Sequence, residues 1–139
     1  MHTHTTNPKV EKLRKVPLFA GLSKRGLNRV ALIADEVDLS EQTELTREGE
    51  RGREFFVLLE GRAEVRKRGR KINSLGKGDF LGEISLVTSI PRTATVTTTS
   101  PVRALVINDR DFATLLEDSP QVRKGIIKAV GMRLAGELS

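Results

Sequence analysis

Hydrophobic positions along the chain change their period twice. From Val10 to Asp35 they recur at helical spacing, from Glu36 to Ile107 they alternate, and from Asn108 onward the helical spacing returns. The first stretch predicts one or two short helices. VEKLRKV runs from Val10 toward Pro17, and Ser23 is a plausible N-cap for a second helix carrying Leu27, Val30, Ala31 and Ala34 on one face. In the middle, REFFVLLEG has the continuous apolar run of a buried strand and stops at Gly61. Ala63 and Val65 alternate with charge, RKRGRK turns at Gly69, and Ile72 and Leu75 return toward a loop with glycines at 76 and 78. Thr93–Thr99 is β-branched, Val102–Ile107 alternates again, and Pro101 makes the corner.

Short strands each closed by Gly or Pro indicate an antiparallel barrel or jelly roll. The last stretch predicts a helix capped by Asn108 or Asp109 and carrying Phe112, Leu115 and Leu116. It breaks at Asp118-Ser119-Pro120, and an amphipathic helix follows with Val122, Ile126, Val130 and Leu134 four apart. Gly125, Gly131 and Gly136 each weaken that helix by about 1 kcal/mol against Ala, so it needs a surface to dock on. The fold class is mainly β with flanking helices: a β-roll preceded by short helices and followed by two C-terminal helices. The boundaries are a disordered tail at 1–8, then one domain over 9–139. Within it, helices occupy 9–35, the β-roll 36–107 and the C-terminal helices 108–139.

At 139 residues the chain is long enough for one real core. Its net charge of +6 could mark a polyanion partner, but six basic residues and one acid sit in RAEVRKRGRK, Arg62–Lys71. Charge clustered at a hairpin tip is more simply a solvated face. Five Phe with no Trp or Tyr argue against single-strand nucleic-acid binding. There is no cysteine, which points to a reducing compartment, the cytoplasm. No apolar run approaches a membrane span, and the N-terminus has no secretory h-region. Both histidines, His2 and His4, fall in the tail, so the folded body lacks His and Cys. With those two side-chain types missing, any hydrolytic mechanism would have to use carboxylates alone; no metal site, no cofactor and no catalytic residue is expected.

The most specific chemistry lies in Gly82–Val96, GEISLVTSIPRTATV. Gly82 permits a close approach that a side chain forbids. Glu83-Ile84-Ser85-Leu86 can form a short helical turn whose first amides lack partners and can meet an anion. A phosphate could accept from the Ile84 and Ser85 amides and from the Ser85 hydroxyl. Arg92, after the stiff Pro91, supplies a guanidinium that forks onto two phosphate oxygens. Ala94 faces the same side by strand alternation and leaves room. Glu83 would be repelled by phosphate, so a sugar hydroxyl is its simplest partner. On spacing alone, Glu83 and Arg92 could equally pair with each other to close a surface loop.

FLGEISLVTSIPRTATV resembles the phosphate-binding cassette of the cyclic nucleotide-binding domain, and the match runs without a gap from Gly82 to Val96. Gly49, Gly61 and Gly78 stand at the family's turn positions, and FAGLSKRGLNRVA resembles the helical segment before its β-roll. The resemblance implies that Arg92 holds the cyclic phosphate and that Glu83 accepts from the ribose 2′-hydroxyl. Gly82, Ile84, Ser85 and Ala94 would line phosphate and ribose. Val65, Leu75 and Leu81 match base-packing positions, although core packing explains them as well. Thr93 can bond the phosphate or a syn guanine, so the implied ligand is cyclic AMP, with cyclic GMP permitted. In the family the last helix closes as a lid; Ile126, Ile127, Val130 and Arg133 are the candidates here. That lid is expected to be loose when empty and to order on binding.

The implied function is a sensor with no chemistry of its own, serving an effector protein or a fused output domain. A DNA-binding regulator of the catabolite-activator type would need a helix-turn-helix after the long helix, and none follows before Ser139. Two alternatives stay open. The fold could be kept as a protein-interaction module, or the chain could be the sensor part of a larger transcription regulator or channel.

Overall fold

The computed structural model describes residues 7–138; His2 and His4 lie outside the described residues. Helix α1 spans Pro8–Arg14 and starts earlier than the hydrophobic pattern suggests. Proline suits a first helical turn, and the Asn7 side chain accepts the Lys9 amide as its cap. Helix α2, Lys24–Ile33, is capped by Ser23, whose Oγ accepts from the Gly26 amide at 3.1 Å. Leu27, Val30 and Ala31 form its buried stripe, as their spacing predicts.

Eight strands follow: β1 Asp35–Leu39, β2 Glu44–Thr46, β3 Glu54–Glu60, β4 Ala63–Lys67, β5 Arg70–Leu75, β6 Phe80–Leu81, β7 Thr95–Thr98 and β8 Val102–Asn108. They form two four-stranded sheets, ordered β1-β8-β3-β6 and β2-β7-β4-β5, with antiparallel pairing throughout. This is the predicted antiparallel β-roll with flanking helices. Strand β3 is the centre of the first sheet: Phe55, Phe56, Val57, Leu58 and Leu59 are all buried. Its two faces serve two cores. Phe55, Val57 and Leu59 meet the helices, while Phe56 and Leu58 fill the interior of the roll with Leu75, Leu81 and Val96. A continuous apolar run in a sheet covered on both faces is the physical result.

Helix α3, Glu83–Thr88, interrupts the strands between β6 and β7. Helix α4, Asp109–Asp118, is capped by Asn108, which accepts the Asp111 amide at 2.7 Å. Phe112 of α4 stacks on Phe55 with ring centroids 4.6 Å apart, which fastens the helix to β3. Ser119 ends α4, and Pro120 opens α5, Pro120–Leu138. The stripe of α5 is the predicted one: Val122, Ile126 and Val130 are buried among the helices and β3. Gly125 lies against Leu18, whose Cδ1 would stand 2.9 Å from a Cβ there. No helix among the described residues is long and apolar enough to cross a membrane.

Candidate ligand site

A cavity of about 710 Å³ opens beside the second sheet. Its lining includes Val65, Leu75, Leu81, Gly82, Glu83, Ile84, Ser85, Arg92, Thr93 and Ala94. Sequence reasoning named all ten, and the fold brings them to one hollow. They come from β4, β5, β6, α3 and the segment before β7. Ile84, Leu75 and Leu81 also belong to the hydrophobic cores, so they serve packing and cavity together.

Arg92 is held by main-chain groups. Its Nη1 donates to the Gly82 carbonyl at 2.9 Å and its Nη2 to the Glu54 carbonyl at 2.7 Å. Its own amide donates to the Glu50 carbonyl, and its carbonyl accepts from the Gly49 amide. A guanidinium has five N–H donors, so two such bonds orient it and leave others for a ligand. Burial lowers the Arg92 pKa from its ordinary value, and the Glu54 and Glu83 carboxylates oppose that shift. The direction matters: burial outweighs the nearby acids, so a bound anion would be welcome there.

Two glycines make the arrangement possible. Gly82 sits at φ +97° as the cap of α3, and a Cβ on it would fall 2.7 Å from Arg92 Nη1. Gly52, in the segment before β3, was not singled out from the sequence. A Cβ there would stand 2.7 Å from both Arg92 Cζ and Ser85 Cβ. The glycine pair in REGERGRE was the available signal, but only the three-dimensional approach gives it meaning. Gly52→Ala is expected to displace the guanidinium and weaken the binding of an anion in the cavity by about tenfold, the equivalent of one misplaced hydrogen bond. Fluorescence competition titration would check this, and affinity equal to wild type would refute the contact.

Several expectations need correction. The Ser85 hydroxyl donates to the Ile90 carbonyl at 2.5 Å, closing the loop after α3, so its proton does not point at a ligand. Arg92 and Ala94 do face one hollow, but strand alternation is not the cause. β7 begins at Thr95, and the preceding residues are positioned by the Glu50 and Gly49 main chain. Among the four lid candidates, only Arg133 lines the cavity. Ile126 and Val130 are turned into the helical core, and Ile127 is exposed. A stripe with i, i+4 spacing must face the core, which leaves Arg133 on another side of α5. Gly136 of α5 also lines the cavity.

Glu83 is fully buried, and its partner is Arg133 rather than Arg92. Arg133 Nη1 lies 2.7 Å from each Glu83 oxygen, and Nη2 donates to the Phe80 carbonyl at 2.8 Å. The guanidinium also sits 5.1 Å from the centroid of the Phe80 ring. Thus α5 is fastened to the cavity through the same acid that the sequence assigns to a sugar. Thr46, Lys67, Arg68, Arg70, Ile72, Asn73 and Val96 complete the lining. No group of three His, Cys, Asp or Glu suited to a metal occurs among the described residues.

The model of the cyclic nucleotide-binding domain family matches residues 36–119. This chain belongs to that family. It is 37% identical over 116 residues to a cAMP-dependent protein kinase regulatory subunit of Mycosarcoma maydis, covering 75% of this chain and 22% of that protein. It is 32% identical over 119 residues to the cGMP-dependent protein kinase egl-4 of Caenorhabditis briggsae, covering 81% and 16%. The chain therefore spans about a fifth of the length of these relatives. In fold it is similar to a mutant regulatory subunit of a cAMP-independent protein kinase A of Trypanosoma brucei bound to cAMP. That likeness has a TM-score of 0.82 at 21% identity and covers 95% of this chain and 51% of the other.

Proposed function

We propose that this domain is a sensor that takes cyclic AMP in preference to cyclic GMP and reports binding through α5. One observation carries the reading: Arg92, Glu83 and the amide-bearing start of α3 border a single cavity. In this reading the cyclic phosphate sits on the remaining N–H groups of Arg92 and on the free amides of α3. The base rests on Val65, Leu75 and Leu81. Thr93 beside Arg92 offers a hydroxyl to the phosphate or to the exocyclic amine of a syn guanine, which is why cyclic GMP is admitted.

Glu83 links ligand to lid. A carboxylate has about four acceptor sites, and Arg133 occupies one on each oxygen. A ribose 2′-hydroxyl must share or displace that contact, so sugar binding alters how α5 is held. The single arginine replaces the apolar lid suggested by Ile126, Ile127 and Val130. The output would be a partner protein or a domain fused to this one, in the cytoplasm, and the sensor itself performs no catalysis. Two observations favour this assignment: the named relatives are much longer, and the body lacks His and Cys.

Calorimetric titration with cyclic AMP and cyclic GMP tests the reading, combined with hydrogen exchange across 120–138. The expected result is micromolar or tighter binding of cyclic AMP, weaker binding of cyclic GMP, and a change of α5 protection on binding. No heat with either nucleotide would end the sensor assignment. Binding with identical protection in both states would end the lid mechanism alone.

A further inference from the structure

We infer that the cavity accepts a nucleotide carrying more than one phosphate group, with the turn of the β4–β5 hairpin receiving the second. The inference rests on the nucleotide reading above and extends it to ligand class. Its starting point is a charge imbalance. Apart from Arg133, which is paired with Glu83, the arginines Arg68, Arg70 and Arg92 line the cavity. Among the described residues its lining holds one acid, Glu83, and both oxygens of that acid are already engaged by Arg133. A cyclic mononucleotide brings one negative charge, which Arg92 alone would match.

The surplus belongs to the hairpin. Arg66, just before the turn, is paired with Glu64, as a solvated surface residue commonly is. Arg68 and Arg70 have no acid partner among the described residues, although both are exposed and both border the cavity. Glu48, on a neighbouring segment, accepts from the Arg68 main-chain amide at 2.9 Å. It holds the turn in place and leaves the guanidinium unpaired. Sheet register then sets the direction. β4 pairs with β7 through Arg66↔Thr95, antiparallel, so the hairpin runs on past Arg66 alongside the chain leading back from Thr95 to Arg92. The two groups of cations therefore lie at the same end of the sheet. Arginine is the side chain suited to forked phosphate contacts. The volume of about 710 Å³ lies in the upper half of the range usual for ligand sites, roughly 300–1,000 Å³.

Two kinds of ligand share this chemistry: cyclic dinucleotides, with two phosphodiesters, and linear nucleotides with a phosphate chain. Calorimetric titration of the whole chain with cyclic AMP, cyclic di-GMP, cyclic di-AMP and ATP separates them. At least one of the last three is expected to bind about tenfold or more tighter than cyclic AMP. In the double variant Arg68→Asn, Arg70→Gln that ratio is expected to fall to about threefold or less, since each removed contact is worth a few-fold. Cyclic AMP binding with no multiply phosphorylated ligand bound more tightly would overturn this inference and leave the sensor reading intact. A ratio unchanged in the double variant would overturn the hairpin's part in it. Failure of the wild type to bind any of the four would overturn both readings.

Discussion

Arg92→Ala is expected to weaken cyclic AMP binding by at least about thirtyfold, because truncating one partner of a buried charge pair costs about 2–5 kcal/mol. The size follows from where the guanidinium lies. Arg92 is 8% exposed, so water cannot replace it at a bound phosphate. Its orientation is set before any ligand arrives, by the Gly82 and Glu54 carbonyls. That pre-organisation removes much of the entropy cost of ordering a long side chain. Arg92→Lys keeps the charge but cannot satisfy both carbonyls and a phosphate together, so it should recover little of the loss. Both variants also leave carbonyls without donors, at about 1–3 kcal/mol each when buried. Circular dichroism at the titration temperature distinguishes lost binding from lost fold. A folded Arg92→Ala protein that binds like wild type would remove the phosphate from this cavity.

The second large effect concerns Arg133→Ala. Glu83 has no exposed surface, and Arg133 is its ion-pair partner. Removing one member of a buried pair strands the other charge, at about 3–5 kcal/mol. The lower end is expected here, because the Arg133 side chain is 35% exposed and water can enter in its place. Denaturant titration should show that loss, and hydrogen exchange should show reduced protection across 120–138. The pairing makes a further statement. Arg133→Gln with Glu83→Gln should cost markedly less than the sum of the two single changes, because no charge is left buried alone. Strict additivity would mean that the pair does not fasten α5. Glu83→Gln should also lower cyclic AMP affinity by about one to two decades, the worth of a hydrogen bond to a charged group.

These effects sit on a fold whose outline is legible along the chain. Period-two alternation from Glu36 and helical spacing from Asn108 reflect which side of each element meets a core, and local geometry alone sets those periods. Caps such as Ser23 and Asn108 are equally local, since each bonds an amide three residues on. The cassette is legible in another way. Gly82, Glu83 and Arg92 lie within one short run of chain that resembles the family's phosphate-binding cassette, and that resemblance, not spacing alone, singled them out.

What could not be read in advance depends on contacts between distant segments. Gly52 matters because β3 starts against Arg92, forty residues later in the chain. Glu83 meets Arg133 across fifty residues, and nothing in the spacing of either announces it. The basic hairpin read as a solvated face, and Arg66 is that. Arg68 and Arg70 differ because the β4–β7 register turns the hairpin's end along the cavity. The lid divides in the same way. Hydrophobic spacing correctly put Val122, Ile126 and Val130 on a buried stripe. Only packing decides that this stripe faces other helices and that a charged residue faces the cavity. Periodicity and short-range hydrogen bonding are properties of neighbouring residues, so the chain displays them directly. Which face turns toward which cavity is a property of the whole assembly of elements, and it exists only once they have docked.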